Sequence, residues 1–253
     1  METVIYEKKN GIAYVTLNRP EVLNAVNATM KREVEGIWED FAKDDSLKVA
    51  ILTGTGRAFC AGHDLKPDVE AYARGQEPKD EGLPLAGLAA SPKPTICAVN
   101  GLVAGGGLAL VLACDIVICA DNAEFRSIFV SRGHEGGGQM PQLAVKTTVS
   151  WALWTWLYKK SIDAETAYRI GLAAELAPRD KLMSRATEMA ETMCGYSQVA
   201  LMSVKERINY LIKTIYQDAM NYRGPVTKSI KSSKDYREGA RSFAEKRPPK
   251  YGQ

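Results

Sequence analysis

The chain has 253 residues, 45% of them hydrophobic, and 33 basic against 30 acidic side chains leave a formal net charge of +3. That length and apolar content suffice for one α/β domain with a full core, and the balanced charge argues against nucleic acid as a partner, which needs a clustered basic face. The five cysteines are odd in number and stand at no metal-ligand spacing with a histidine, so they read as buried thiols rather than a disulfide framework or a metal site.

In chain order, residues 4–7 and 12–17 form a β-hairpin closed by Asn10-Gly11. Residues 28–43 carry apolar side chains at helical spacing (Met30, Val34, Ile37, Trp38, Phe41) and predict a helix packed on a sheet. Residues 49–54 and 95–99 are short buried strands, and the run 111–119 ends in another. Between them, 66–87 is rich in charge, glycine and proline, with a weak helical pattern at 69–73, and suits either a lid or binding loop or an inert surface excursion. After Gly138 the pattern is helical at 149–158, 164–170, 179–196 and 198–220, with Asp163 placed as an N-cap and Gly171 as a stop. Strands alternating with helices favour a parallel sheet with helical crossovers. No basic-then-apolar leader opens the chain, and the longest apolar stretch, 108–120, is broken by Asp115 and too short for a bilayer. A cytoplasmic protein with no membrane partner is the expectation.

Two segments stand out. Ala58-Phe59-Cys60-Ala61-Gly62-His63-Asp64-Leu65 follows the strand at 49–53, and Asn100-Gly101-Leu102-Val103-Ala104-Gly105-Gly106-Gly107-Leu108-Ala109 follows the strand at 94–99. Each offers backbone N–H groups where a strand gives way to a helix, and two such turns side by side aim two donors at one oxygen. Glycine lets a substrate approach the main chain that closely. A single glycine turn at a strand end is unremarkable in any α/β protein, whereas the pair in this order resembles the crotonase (enoyl-CoA hydratase/isomerase) superfamily. The resemblance extends to Asn18-Arg19-Pro20-Glu21 with Asn24-Ala25, to the segment 114–120, and to 235–239 with 245–248, so it covers nearly the whole chain.

The resemblance implies an α/β spiral of ββα units followed by a C-terminal helical region, with a crotonase-like core at 1–195 and a helical part at 196–253 that covers the active site and builds trimer contacts. It also implies a homotrimer or homohexamer acting on an acyl-CoA, with coenzyme A as part of the substrate and no separate cofactor. Carried over by position, the N–H groups of His63 and Gly106 form the oxyanion hole, and the His63 side chain is incidental to that role. Ala61, Asp64 and Leu65 line the coenzyme, and Arg19 and Lys246 meet its phosphates, although either cation also suits a solvated surface.

The departures from the family pattern concern proton transfer. Hydratases of this family use two glutamates, and the matching positions here are Ala109 and Phe129, neither of which can carry a proton. Some relatives place an acidic residue later, in a glycine-rich turn, and here that turn reads Arg132-Gly133-His134-Glu135-Gly136-Gly137-Gly138. Glu135 is the candidate acid/base, with His134 as its partner or alternative, though a glutamate in such a turn is often only solvated. Glu124 reads as a surface residue. Trp151, Trp154 and Trp156 read as core or subunit interface. The leading expectation is a thioester-transforming isomerase, hydratase-like enzyme, decarboxylase or C–C hydrolase. The alternative is a thioester-binding scaffold with little or no catalysis.

Overall fold

The computed structural model describes residues 1–67, 70, 74, 83, 85–136, 139–158, 161–245 and 247–252, apart from the side chains of 86, 213–217, 219–226, 228, 231, 243 and 244. In chain order the strands are β1 (Val4–Lys9), β2 (Ile12–Leu17), β3 (Val49–Gly54), β4 (Ala58–Cys60), β5 (Thr95–Val99), β6 (Leu102–Ala104), β7 (Ile116–Ala120), β8 (Glu124–Arg126), β9 (Ile162–Asp163) and β10 (Glu175–Ala177). The helices are α1 (Ala28–Lys43), α2 (Ala86–Ala90), α3 (Gly107–Ala113), α4 (Gln139–Lys146), α5 (Val149–Tyr158), α6 (Ala164–Arg169), α7 (Leu182–Cys194), α8 (Gln198–Ser232) and α9 (Lys234–Ala244).

Six strands form one sheet in the order β1-β2-β3-β5-β7-β10, antiparallel at the β1–β2 hairpin and parallel elsewhere. The hairpin turns on Asn10 and Gly11, both at positive φ, the geometry an Asn-Gly turn favours. A second sheet, β4-β6-β8-β9, is parallel through its first three strands. Each of β3, β5 and β7 in the first sheet is followed within a few residues by β4, β6 or β8 in the second, so the chain winds through repeated ββ steps with helices between. The 58–65 segment is therefore not one turn after β3, because a second strand intervenes. The same holds after β5, and the run 111–119 is the end of α3 followed by β7.

Side-chain alternation explains the layering. Ile12, Val49, Ile51, Ile96 and Ile118 face Leu182, Ala186 and Ala190 of α7, while Ala13, Ala50, Leu52, Cys97 and Cys119 face the opposite layer of α1, α3 and the second sheet. All five expected apolar positions of α1 are buried, and Asn27 caps the helix by accepting from the Met30 N–H. Cys60, Cys97, Cys114 and Cys119 are buried and Cys194 is half-buried, all as free thiols. Burial pushes the Cys60 and Cys119 thiols up to about 12, which keeps them protonated and unreactive.

The helical part is anchored at both ends. Near the start of α8, the buried Lys205 ammonium sits 2.7 Å from Asp115 and donates to the Lys93 carbonyl, at the N-terminal ends of β5 and β7. After α9, Arg247 pairs with Glu238 and Glu245, the Lys250 N–H donates to Glu238, and Tyr251 Oη donates to the Ser131 carbonyl. The Arg247 guanidinium holds the Glu238 carboxyl down to about 2. No helix among the described residues is long and apolar enough to cross a membrane.

Candidate active site

The first glycine segment is held by the N-terminal loop beside it. Asn24, fully buried and at positive φ, donates through Nδ2 to the Thr55 and Ala58 carbonyls and accepts from the Arg19 N–H. The Ala61 N–H donates to the Leu23 carbonyl and the Cys60 thiol to the Asn24 carbonyl. Val26 then pairs with His63: the Val26 N–H donates to the Gly62 carbonyl at 2.7 Å, and the Asp64 N–H donates to the Val26 carbonyl at 2.9 Å. Along an extended backbone successive amides point to opposite sides, so the His63 N–H between them faces away from Val26.

Asn100 joins the second segment to the first. Its Oδ1 accepts from the Gly54 N–H, and its Nδ2 donates to the Gly56 and Ala58 carbonyls. Beyond β6 the chain turns at Gly105 and enters α3. Gly62 has φ +94°, and a Cβ built there would lie 2.6 Å from the Gly106 nitrogen and 3.0 Å from the Ala104 carbonyl oxygen. Only a residue without a side chain fits, which brings the Gly62–His63 turn directly against the Gly106 amide. No turn or loop hydrogen bond from the Gly106 N–H is found among the described residues. Leu83 covers Gly106, and Ile128 lies against Gly105, so the surrounding wall is apolar.

Arg19 and Asp64 form an ion pair at 2.9 Å, with side chains only 17% and 16% exposed, and the same Arg19 nitrogen donates to the Ala25 carbonyl at 2.6 Å. The charge that Arg19 was expected to offer a phosphate is thus shared with Asp64, and its firmest role is to brace the first segment. Arg19→Met is expected to cost about 1–3 kcal/mol, the penalty for leaving a mostly buried charged partner unpaired. A thermal melt checks this, and an unchanged midpoint would show the pair contributes nothing. Ala61 and Leu65 are half-buried beside the ion pair. Lys246 lies outside the described residues.

His134 and Glu135 sit on a separate turn after a short 3-10 helix, Val130–Arg132. Gly136, at φ +89°, presses its backbone against the Phe129 and Trp156 rings, which stack with centroids 6.2 Å apart. The Trp156 Nε1–H of α5 donates to the Glu135 carbonyl at 2.8 Å, and the Thr227 hydroxyl of α8 donates to Oε1 of the Glu135 carboxylate. His134 Nδ1 accepts from the Gly136 N–H at 2.7 Å, so the neutral ring carries its proton on Nε2. Its ring lies between Phe129 and Tyr236 of α9, at 5.7 and 5.6 Å.

Ile128 lies against Gly105 and its chain neighbour Phe129 against Gly136, so two consecutive residues touch the second glycine segment and this turn. Ala109 is buried in the first turns of α3, and Phe129 packs on Trp156. Trp156 is buried, whereas Trp151 and Trp154 are half-buried and in edge contact on the outer part of α5. Glu124, on β8 between β6 and β9, pairs with Arg126 and accepts from the Ser161 hydroxyl. Sequence reasoning missed Thr227, Leu83 and Ile128, since nothing local marks a helical threonine or two loop aliphatics as neighbours of the site.

Comparison with known proteins agrees with this architecture. The enoyl-CoA hydratase/isomerase family pattern matches residues 7–253. A probable enoyl-CoA hydratase of Mycobacterium tuberculosis is 31% identical over 253 residues, covering 99% of this chain and 98% of that protein. The 1,2-epoxyphenylacetyl-CoA isomerase of Escherichia coli is 32% identical, with 99% of this chain and 98% of that protein covered. The crystal structure of an enoyl-CoA hydratase/isomerase from Pseudoalteromonas atlantica superposes with a TM-score of 0.87 at 26% identity, covering 99% of this chain and 100% of that one. The chain therefore belongs to the enoyl-CoA hydratase/isomerase family, the crotonase superfamily, and has the crotonase fold with a helical C-terminal region.

Proposed function

We propose that this protein is an enzyme that converts an acyl-CoA through an enolate or oxyanion held by the N–H groups of His63 and Gly106, with Glu135 as the proton carrier. The docking of the Gly62 turn onto the Gly106 amide carries this reading, because no Cβ separates the two segments. A thioester oxygen placed there accepts two hydrogen bonds, which strengthen as negative charge builds on it. Glu135, held at both its carbonyl and its carboxylate, then takes or returns the proton at the acyl chain. His134 presents an Nε2–H as a hydrogen-bond donor, which suits it as a partner of Glu135. Coenzyme A runs along Ala61, Asp64 and Leu65, with Lys246 for its phosphates.

Ala109 and Phe129 leave no carboxylate at the two hydratase positions, which favours reactions needing one acid/base, an isomerisation above all. The apolar walls supplied by Leu83, Ile128 and Phe129 suit an acyl group without charge. Residues 196–253 act as a cover and trimer-forming part of a cytoplasmic homotrimer or homohexamer. Exposed apolar side chains support that assembly, with Leu157 of α5 70% and Val199 of α8 80% exposed in the single chain.

The same missing carboxylates favour the second reading, a thioester-binding homologue without turnover. Ultraviolet difference spectroscopy with enoyl-, malonyl- and aroyl-CoA esters separates the two. A polarised thioester spectrum accompanied by turnover of any one ester is the expected result. Polarisation with every ester left intact would establish the binding role instead.

A further inference from the structure

The Glu135 side chain is reached from a distant helix, by a threonine 92 positions later in the chain. The last torsion of a glutamate side chain is broad, so a carboxylate attached only through its own backbone samples many orientations. An ionised carboxylate only accepts hydrogen bonds, which means the Thr227 hydroxyl must point its proton at Oε1. Thr227 is itself half-buried and β-branched, and such a side chain on a helix has few rotamers. The carbonyl of Glu135 is separately held by Trp156, so backbone and carboxylate are restrained by different helices, α5 and α8.

We infer that Thr227 is a positioning residue for proton transfer, fixing the carboxylate plane of Glu135 for exchange with the acyl chain. This rests on the assignment of Glu135 as proton carrier. The step it serves balances simply. The Cα–H bond of the thioester breaks, its proton passes to the Glu135 carboxylate, and its electron pair moves into the carbonyl, leaving the enolate oxygen in the main-chain hole. Return of the proton to Cα restores the ester, and its delivery to Cγ of an unsaturated chain moves the double bond.

The test uses the full chain with 3-butenoyl-CoA in D2O, following deuterium entry at Cα by NMR and ester binding by difference spectroscopy. Thr227→Val and Thr227→Ala are expected to slow exchange at saturating ester about tenfold or more, as for a misplaced reacting group. Binding should change by less than about twofold, and Thr227→Ser, which keeps the donor, should return exchange to within about threefold of wild type. Wild-type exchange in Thr227→Val, with Glu135→Gln silent, overturns the role of Thr227 and leaves that of Glu135 standing. A loss that serine fails to rescue, or that is matched by weaker binding, marks a structural role and also overturns it. Normal exchange in Glu135→Gln, or a wild-type protein that binds the ester without exchanging a proton, overturns the assignment of Glu135 and this inference together.

Discussion

Glu135→Gln is expected to lower turnover at least ~100-fold, the low end for a lost general acid/base, while binding of the CoA ester persists. The substitution is close to isosteric. Its side-chain carbonyl oxygen still accepts from Thr227, and the backbone carbonyl still accepts from Trp156, so the turn and its aromatic neighbours keep their arrangement. Only the capacity to gain and lose a proton disappears. The measurement is kcat with the best ester from the spectroscopic panel, together with the dissociation constant of that ester. Unchanged kcat would remove Glu135 from the mechanism and move attention to His134 on the same turn.

Gly62→Ala is expected to abolish the polarised thioester spectrum and to reduce kcat by ~100-fold or more, the loss associated with removing one oxyanion donor. Alanine at φ +94° is strained, and its Cβ would fall 2.6 Å from the Gly106 nitrogen, so the two segments must part. Both donors move with that separation, since His63 follows Gly62 directly. Gly36→Ala on α1 is the control: nothing lies within 4 Å of the added carbon, and activity should be unchanged. A Gly62→Ala enzyme with a wild-type difference spectrum would show that the thioester oxygen binds elsewhere.

The parts legible in the sequence were those with a local signature. The Asn10-Gly11 hairpin and α1, whose bounds match at both ends, were readable because turn chemistry and a five-residue apolar stripe each specify one backbone geometry. The second sheet was not, because β4, β6 and β8 have three residues each, too few for alternation to register. Glu135 was singled out only by comparison of motifs, and its neighbours were beyond reach. Thr227 is one polar residue in a 35-residue helix, and the pairing of Arg19 with Asp64 spans 45 positions. Such contacts are set by how α8 and the N-terminal loop pack, which no short window of sequence encodes. The motif for the two glycine segments, by contrast, names main-chain positions whose neighbours Asn24 and Asn100 are themselves part of the recognisable pattern.

The distribution of sulfur in the core has a practical corollary. Four thiols are sealed among β-strands and helices, whereas Cys194, at the end of α7 and against the β1–β2 turn, is only half-buried. A maleimide dye added to native protein would attach there first, on the side of the large sheet opposite the glycine segments. The chain thus comes with its own single labelling point for fluorescence, available without removing any other cysteine.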